Sequence, residues 1–230
     1  MGLEKIWNSI WKNDSYSLPK LREEKANKKC EELFKTIPIK KDWSIIDLGC
    51  GGGYISNKIY EMSGSTEIIG IDFSSEAINL AKNNFKNKPI TFMVNNATKL
   101  NLENNSADLV VCFGLIEHIE NYDLCFNEIT RILKKGGFLY LTSSNKHSFM
   151  YMHRKIKERL KIWKYGYQKN WKLLDLDTFL KSLGFETISI NIDMGIGDFK
   201  YITIMDRIVS IFKKNWGRYI VYAGRLKGIE

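Results

Sequence analysis

Short apolar runs alternate with amphipathic stretches along most of this chain. The apolar runs are rich in Ile, Val, Leu and Phe and are bounded by glycine or polar residues, a pattern typical of strands. We predict strands over residues 44–48, 67–71, 90–94, 108–113, 138–142, 185–192 and 219–224. The stretches between them predict helices, and strands that alternate with helices favour a parallel sheet between helical layers.

The chain before the first predicted strand has a different pattern, because it predicts helices alone. Residues 1–40 are expected to form two helices that break near Pro19, since proline cannot continue a helix from the residues before it. A further helical segment, 146–174, follows the fifth predicted strand. The chain has no internal repeat and no low-complexity linker, and we therefore predict a single domain over 1–230.

A glycine-rich turn follows the first predicted strand. Gly49, Gly51 and Gly53 come at alternate positions after Asp47. A side chain at these positions would keep the backbone away from a ligand that crosses the end of the strand. A helix predicted from Tyr54 would direct free N–H groups and its positive dipole end towards an anionic group. The pattern indicates a nucleotide-cofactor pocket.

The carboxylates around this turn help to distinguish two cofactors. Asp72 ends the second predicted strand about 20 residues after the turn, where an acid suits a ribose diol. A dinucleotide fingerprint would need glycine where this chain has Tyr54, and it requires no acid at the position of Asp47. Glycine-rich turns also occur in tight strand-to-helix connections without a ligand, so the turn alone does not decide the function.

The run Asp47-Leu-Gly49-Cys50-Gly51-Gly-Gly53 resembles motif I of the class I S-adenosylmethionine (SAM) methyltransferases. In that family the acid helps to hold the methionyl amine of SAM, and the acid after the second strand binds the ribose. The resemblance continues in order over residues 40–145, including Asn96-Ala97 at the place of the adenine contact. The cofactor contacts that it implies are Asp47, Gly49, Cys50, Gly51, Gly53, Asp72, Phe73, Asn96, Ala97, Phe113 and Tyr16.

The resemblance also implies the fold. Members have an α/β fold with a doubly wound, seven-stranded, mostly parallel sheet whose last strand is antiparallel. Residues 1–40 would form an N-terminal helical lid, in which Tyr16 would close over the cofactor, while Trp7 and Trp11 would either join the lid or pack in the core. Residues 146–174 would form a basic amphipathic insertion that acts as an acceptor lid.

The segment after the fourth predicted strand carries the candidate chemistry. Glu117 and His118 would lie beyond the carboxyl ends of the first and fourth strands, and a histidine beside a carboxylate can act as a base near neutral pH. In the family this pair often packs the helix start instead. The segment resembles the ubiquinone-biosynthesis O-methyltransferases, but Gly114 stands where members with a proposed metal site have Glu, so no metal is expected. The Asp/Asn-Pro-Pro-aromatic motif of many base-modifying enzymes is absent, which disfavours nucleic acid as acceptor.

Composition adds limits to this interpretation. The four cysteines lack CxxC spacing, which disfavours a disulfide framework or a zinc site and favours a reducing compartment. The chain shows no signal core and no apolar stretch near the roughly 18 residues of a membrane span, so a cytoplasmic protein is expected.

The formal net charge of +9 is concentrated in one segment. Residues 146–172 hold nine Lys or Arg and one acid, Glu158, a difference of +8. Apolar residues recur there at steps of three and four over 149–164, which predicts a helix with one apolar and one basic face. Four interpretations stay open: a stripe packed on the core with solvated lysines, a phosphorylated or nucleotide-linked acceptor, peripheral contact with an anionic membrane, or RNA.

These observations predict a SAM-dependent methyltransferase that acts on an oxygen or nitrogen of a small-molecule acceptor and releases S-adenosylhomocysteine. Acceptors at a membrane surface, such as a lipid or quinone precursor, and RNA are alternatives. Two other classes compete, a noncatalytic SAM-binding regulator and an NAD-dependent oxidoreductase. The acceptor and the oligomeric state do not follow from the sequence.

Overall fold

The computed structural model of the chain describes residues 3–12, 19–195 and 200–228. Its strands are β1 (Ile45–Leu48), β2 (Ile68–Asp72), β3 (Ile90–Val94), β4 (Ala107–Phe113), β5 (Leu133–Ser144), β6 (Phe185–Asp193) and β7 (Tyr219–Leu226). Its α-helices are α1 (Leu3–Lys12), α2 (Pro19–Thr36), α3 (Tyr54–Ser63), α4 (Ser75–Asn84), α5 (Tyr122–Ile132), α6 (Phe149–Arg159), α7 (Leu173–Ser182) and α8 (Lys200–Phe212). A short 3-10 helix spans Ile116–His118.

The strands form one sheet in the order β3-β2-β1-β4-β5-β7-β6. Strands β1 to β5 are parallel to one another, and β7 is antiparallel to both β5 and β6. This sheet confirms the predicted seven-stranded fold with an antiparallel last strand. Chain order reverses between β1 and β4, so a crevice opens beyond their carboxyl ends, where ligands bind in open α/β sheets.

The centre of the sheet is buried on both faces, which explains why its central strands are mostly apolar. Ile45 and Leu109 pack with Leu33 and Ile59 of α2 and α3 on one face. On the other face, Val110 belongs to the cluster that contains residues of α5 and α7. Burial on both sides removes the polar alternation of a half-exposed strand. The doubly wound architecture is thereby confirmed.

Several predicted element ends differ slightly from the structure. Strand β5 begins at Leu133, which pairs with Ala107, whereas the predicted strand begins at residue 138. The register of the β4–β5 pairing shifts between Ala107 and Leu109, which accommodates the extra residues of β5 around Gly136 and Gly137. Ser74 caps α4 by accepting a hydrogen bond from the Ala77 N–H.

The segment 146–174 departs from its prediction in two ways. Helix α6 ends at Arg159, because the chain turns at Lys161, which has a positive φ of 58°. The apolar stripe predicted over 149–164 therefore does not continue to Trp163 on the same helix. The stripe also does not pack on the core, since Met152, Ile156 and Leu160 are exposed. The core-packing interpretation of this stripe was wrong.

Candidate functional site

The glycine turn after β1 is held in conformations that favour glycine. Gly49, Gly51 and Gly53 have φ angles of 81°, 52° and 82°. A Cβ at Gly51 would lie 2.6 Å from the indole ring of Trp11. A Cβ at Gly53 would lie 2.8 Å from the ring of Phe92, away from the crevice. Gly51 therefore permits close approach at the crevice, while Gly53 permits close packing between the turn and the sheet.

Asp47 lies under this turn and is almost completely buried. Its Oδ2 accepts a hydrogen bond of 2.6 Å from the Ser56 hydroxyl at the start of α3. Burial raises the pKa of Asp47 to about 6, the Ser56 hydrogen bond opposes this shift, and the Asp72 carboxylate adds to it. A cation placed beside Asp47 would lower that pKa again, which suits an ammonium ligand.

Asp72 lies at the end of β2 and closes the turn from the other side. Its Oδ2 accepts from the Gly51 N–H at 3.0 Å, and its Oδ1 accepts from the Ser74 N–H at 3.0 Å. Burial raises the pKa of Asp72, and these backbone hydrogen bonds oppose the shift. Each oxygen keeps a lone pair, so the carboxylate can still accept hydrogen bonds from a diol.

A cavity of about 580 Å³ opens at this point, beyond the ends of β1, β2 and β4. Nine of the predicted cofactor contacts line it together: Asp47, Gly49, Cys50, Gly51, Asp72, Phe73, Asn96, Ala97 and Phe113. Gly53 is not part of the lining, and Tyr16 lies outside the described residues. The side-chain-free turn and the two acids fit an adenosyl ligand that carries an ammonium group and a ribose.

Asn96 takes part in this wall differently from the expected adenine contact. Its Oδ1 accepts from the Thr98 N–H at 3.0 Å and from the Thr98 hydroxyl at 2.9 Å. The amide oxygen that would meet an adenine amino group is therefore already engaged locally. Ala97, which is buried, lines the cavity beside it.

His118 forms another part of the wall, at the end of the 3-10 helix after β4. Its Nδ1 lies 3.2 Å from the carbonyl oxygen of Tyr167, so Nδ1 carries a proton in this contact and Nε2 is the basic nitrogen. The ring meets Trp7 edge-on, with centroids 5.0 Å apart. Burial lowers the pKa of His118, against the raising effect of Glu117, so the ring is neutral at pH 7.

Glu117, the other candidate for chemistry, does not line the cavity. Its buried carboxylate accepts hydrogen bonds from the hydroxyls of Ser143 and Ser144 at the end of β5, at 3.4 and 3.0 Å. The Lys169 N–H donates to its backbone oxygen at 2.7 Å. Glu117 therefore joins the 3-10 helix to β5 and to the segment after α6, which holds its neighbour His118 in place.

Three cations on α2 were not predicted, although their spacing could have revealed them. Arg22, Lys25 and Lys29 line the cavity from one face of the helix. The Arg22 guanidinium stacks 5.0 Å from the Trp11 ring centroid, and the Lys29 ammonium lies 5.2 Å from that of Phe113. Steps of three and four place such residues on one helix face. No residue of 146–174 is among the described lining residues, so the cations at this cavity come from α2.

Helix α1 covers the cavity from outside. Trp7 and Trp11, one helical turn apart, both line it, and no described residue of α1 is fully buried. Asn8 accepts a hydrogen bond of 2.6 Å from the Ser74 hydroxyl, which attaches α1 to the start of α4. The two tryptophans therefore lie at the cavity and not in the core of the protein.

A protein-family model described as a methyltransferase domain matches residues 39–217. A ubiquinone biosynthesis O-methyltransferase of Pelagibacter ubique is 28% identical over 107 residues, which are 46% of this chain and 44% of the relative. An uncharacterised protein of Methanocaldococcus jannaschii is 36% identical over 118 residues, 51% of this chain and 48% of that protein. The chain spans about half the length of these curated relatives.

Two solved structures have a similar fold. A putative methyltransferase in complex with the Haloferax volcanii Trm112 methyltransferase activator has a TM-score of 0.75 at 18% identity and covers 96% of this chain and 98% of its own. Phosphoethanolamine N-methyltransferase 2 of Haemonchus contortus, in complex with S-adenosyl-L-methionine, has a TM-score of 0.66 at 20% identity and covers 88% of this chain and 53% of its own.

Proposed function

The chain belongs to the methyltransferase-domain family, as its resemblance to class I SAM-dependent methyltransferases led us to expect, and we propose that it methylates an oxygen or nitrogen of an anionic small-molecule acceptor with SAM as the methyl donor. The position of His118 carries this proposal. A neutral histidine in the cavity wall, with Nδ1 engaged by the Tyr167 carbonyl, leaves Nε2 to accept a proton from a hydroxyl or ammonium acceptor.

The cavity residues have separate tasks in this proposal. SAM supplies a methyl group already activated on a sulfonium. Asp47 would hold the methionyl ammonium, Asp72 would hold the ribose, and the glycine turn would let both groups approach the backbone. His118 would take the proton of the acceptor, and Glu117 would position His118. Orientation of the acceptor against the methyl group then contributes several kcal/mol of the barrier reduction, on the order that intramolecular reactions show.

The cations of α2 support an anionic acceptor. Three cations of α2 line one wall of the cavity, while the four acids of the lining belong to other elements, so the positive charge is local to α2. Burial lowers the pKa of the Lys29 ammonium, which an anion beside it would raise again. This local positive charge favours an acceptor that places a carboxylate or phosphate against α2. The Haemonchus contortus neighbour acts on phosphoethanolamine, a phosphorylated amine, which is compatible with this class of acceptor.

Calorimetric titration with SAM, S-adenosylhomocysteine and NADH tests the cofactor. We expect both adenosyl-sulfur ligands to bind and NADH not to bind. Replacing Asp72 by alanine should weaken SAM by roughly 1–3 kcal/mol, because charged hydrogen bonds to the ribose are lost. Unchanged affinity in this variant would contradict the ribose assignment, and binding of NADH alone would favour the oxidoreductase.

Release of S-adenosylhomocysteine with a panel of phenols and amines tests the acceptor. Each compound is offered with and without a carboxylate or phosphate, and the anionic form should be preferred. Lys29→Met should raise the KM of the anionic form roughly 10-fold or more through loss of a charged contact, with little effect on the neutral form. Lys35→Met, on the exposed side of α2, is the matched control. SAM binding without product from any acceptor would favour the noncatalytic regulator.

A further inference from the structure

Helix α8 has its apolar side turned away from the protein. The side chains of Tyr201, Ile204, Met205, Ile208, Ile211 and Phe212 are exposed, and Tyr201, Ile211 and Phe212 are 85%, 75% and 82% accessible. Their spacing of three and four residues places them on one face of the helix. The acid of the helix, Asp206, is fully buried on the other face.

Asp206 explains why α8 lies this way round. Its Oδ1 accepts from the Phe149 N–H at the start of α6 and from the Trp216 indole N–H after α8, both at 2.8 Å. The Phe149 and Trp216 rings meet edge-on with centroids 5.2 Å apart. Turning α8 to bury its isoleucines would break these bonds and expose buried polar groups, so the apolar face points outward.

Helix α6 shows the same reversal. Arg154 is buried, pairs with Glu158 at 3.0 Å and donates a hydrogen bond to the Gln168 carbonyl. The apolar residues Met152, Ile156 and Leu160 are 51%, 59% and 62% accessible. We call the exposed apolar residues of these two helices and their exposed basic neighbours the α6/α8 surface.

The charge on this surface is almost entirely positive. Its exposed basic residues are Lys155, Arg159, Lys161, Arg207, Lys213 and Lys214. Glu158, the acid among them, is engaged by Arg154 and Lys155. Exposed apolar side chains beside lysine and arginine are the composition of helices that lie in the interface of an anionic bilayer. The described residues contain no helix long and apolar enough to cross one.

The position of the surface relates it to the cavity. Strands β5 and β6 run in the same direction, because both are antiparallel to β7. Helices α6 and α8 follow β5 and β6 along the chain and therefore leave the same edge of the sheet as the one beyond which the cavity opens. An acceptor molecule in the bilayer would therefore lie on the same side of the protein as the cavity.

We infer that the α6/α8 surface docks on an anionic membrane, with its apolar side chains inserted among the lipids and its lysines and arginines against the headgroups. This inference does not depend on methyl transfer, because vesicle binding is measured without SAM or acceptor. The test is sedimentation of the full chain with vesicles of phosphatidylcholine alone and of phosphatidylcholine mixed with phosphatidylglycerol. We expect binding to the mixed vesicles and little to the neutral ones.

Two sets of substitutions separate the apolar and basic contributions. Arg159→Gln, Lys213→Gln and Lys214→Gln together should lower the partition coefficient on the order of 100-fold, at about 5-fold for each charge near the surface. Ile208→Ser, Ile211→Ser and Phe212→Ser together should lower it at least as much, because each loses inserted apolar area. Matched controls are Lys82→Gln, Lys86→Gln and Lys135→Gln for charge, and Leu124→Ser, Leu174→Ser and Ile188→Ser for exposed apolar area.

All variants should keep the wild-type circular dichroism and SAM affinity, since the changed residues do not line the cavity. Equal binding of the wild type to neutral and anionic vesicles, or none to either, would overturn the inference. So would equal losses in the control variants. Binding to an RNA homopolymer that the glutamine set removes and the serine set leaves intact, without vesicle binding, would assign the surface to nucleic acid. A dimer that the serine set dissociates would assign it to a second copy of the chain.

Discussion

Two pairs of amphipathic helices in this molecule face opposite ways. In α3 and α4, the buried residues are mostly apolar, including Ile59, Ala77 and Ile78, as is usual for helices that cover a sheet. Among the described side chains of α6 and α8, the fully buried ones are Arg154 and Asp206, and four of the five isoleucines are exposed. An amphipathic pattern shows that a helix has two faces, and its neighbours decide which face is buried.

The difference follows from what each pair packs against. Helices α3 and α4 cover the wide apolar surface of β1, β2 and β3, so burial of apolar area orients them. Helices α6 and α8 pack on each other beside the end of the sheet, where buried hydrogen-bonding groups such as the Asn145 side chain and the Phe149 N–H need partners. Buried hydrogen bonds orient α6 and α8, because a buried polar group without a partner costs more free energy than an exposed isoleucine side chain.

The largest effect is expected at the turn between β1 and α3. Gly51→Ala should abolish detectable SAM binding, because a methyl group there meets Trp11 and the residue has a positive φ. Gly64→Ala is the matched control, since Gly64 has a φ of 67° with neighbours no closer than 3.8 Å. Calorimetry measures both. Equal SAM affinities of the two variants would mean that strain from the positive φ, rather than the close approach of Trp11, explains the glycine at position 51.

The comparison between the helix pairs is tested directly by one substitution in each. Ile59→Ala in α3 should lower the free energy of unfolding by roughly 2–5 kcal/mol, because it empties a buried site. Ile208→Ala in α8 should change it by about 0.5 kcal/mol or less, because the side chain is exposed. Urea unfolding measures both. Equal losses would mean that the apolar face of α8 is covered in solution.

The buried carboxylate of Asp47 is expected to lower the free energy of unfolding while it contributes to SAM binding. The folded pKa of about 6 lies above the ordinary aspartate value of 3.8, so the folded state binds the proton more tightly and the free energy of unfolding falls as pH rises between these values. Asp47→Asn should therefore raise the free energy of unfolding at pH 7 by up to about 3 kcal/mol. The gain should vanish below pH 4, at about the unfolded pKa. The same variant should bind SAM more weakly, and a loss of stability at pH 7 would contradict this account.

His118 lies between α1 and the segment after α6, and both contact it. His118→Ala should reduce turnover roughly 100-fold with SAM affinity unchanged, because the general base is lost. The matched control is His153→Ala on α6, outside the cavity. Turnover of the wild type should fall as pH drops through the lowered pKa of His118, below 6.5, because the protonated ring cannot accept a proton. A loss of only a few-fold would make His118 a packing residue.

The sequence predicted most of the site because its residues lie close together along the chain. Asp47, Gly49 and Gly51 act within one turn, and Asp72 follows at the end of the neighbouring strand. The turn itself requires glycine, so these residues reveal their positions before any packing is known. Gly53 belongs to the same turn but does not line the cavity, and a Cβ at this position would meet the ring of Phe92.

The sequence alone predicted seven apolar strands that alternate with helices and a glycine turn between two acids, because periodicity and turn chemistry are local properties, and the resemblance to the family added the doubly wound order that the structure confirms. Only the tertiary structure decided which cations reach the cavity and which helix faces remain outside. Lys29 lies at the cavity and α8 turns its isoleucines outward through contacts with residues distant in sequence, and periodicity carries no information about such partners.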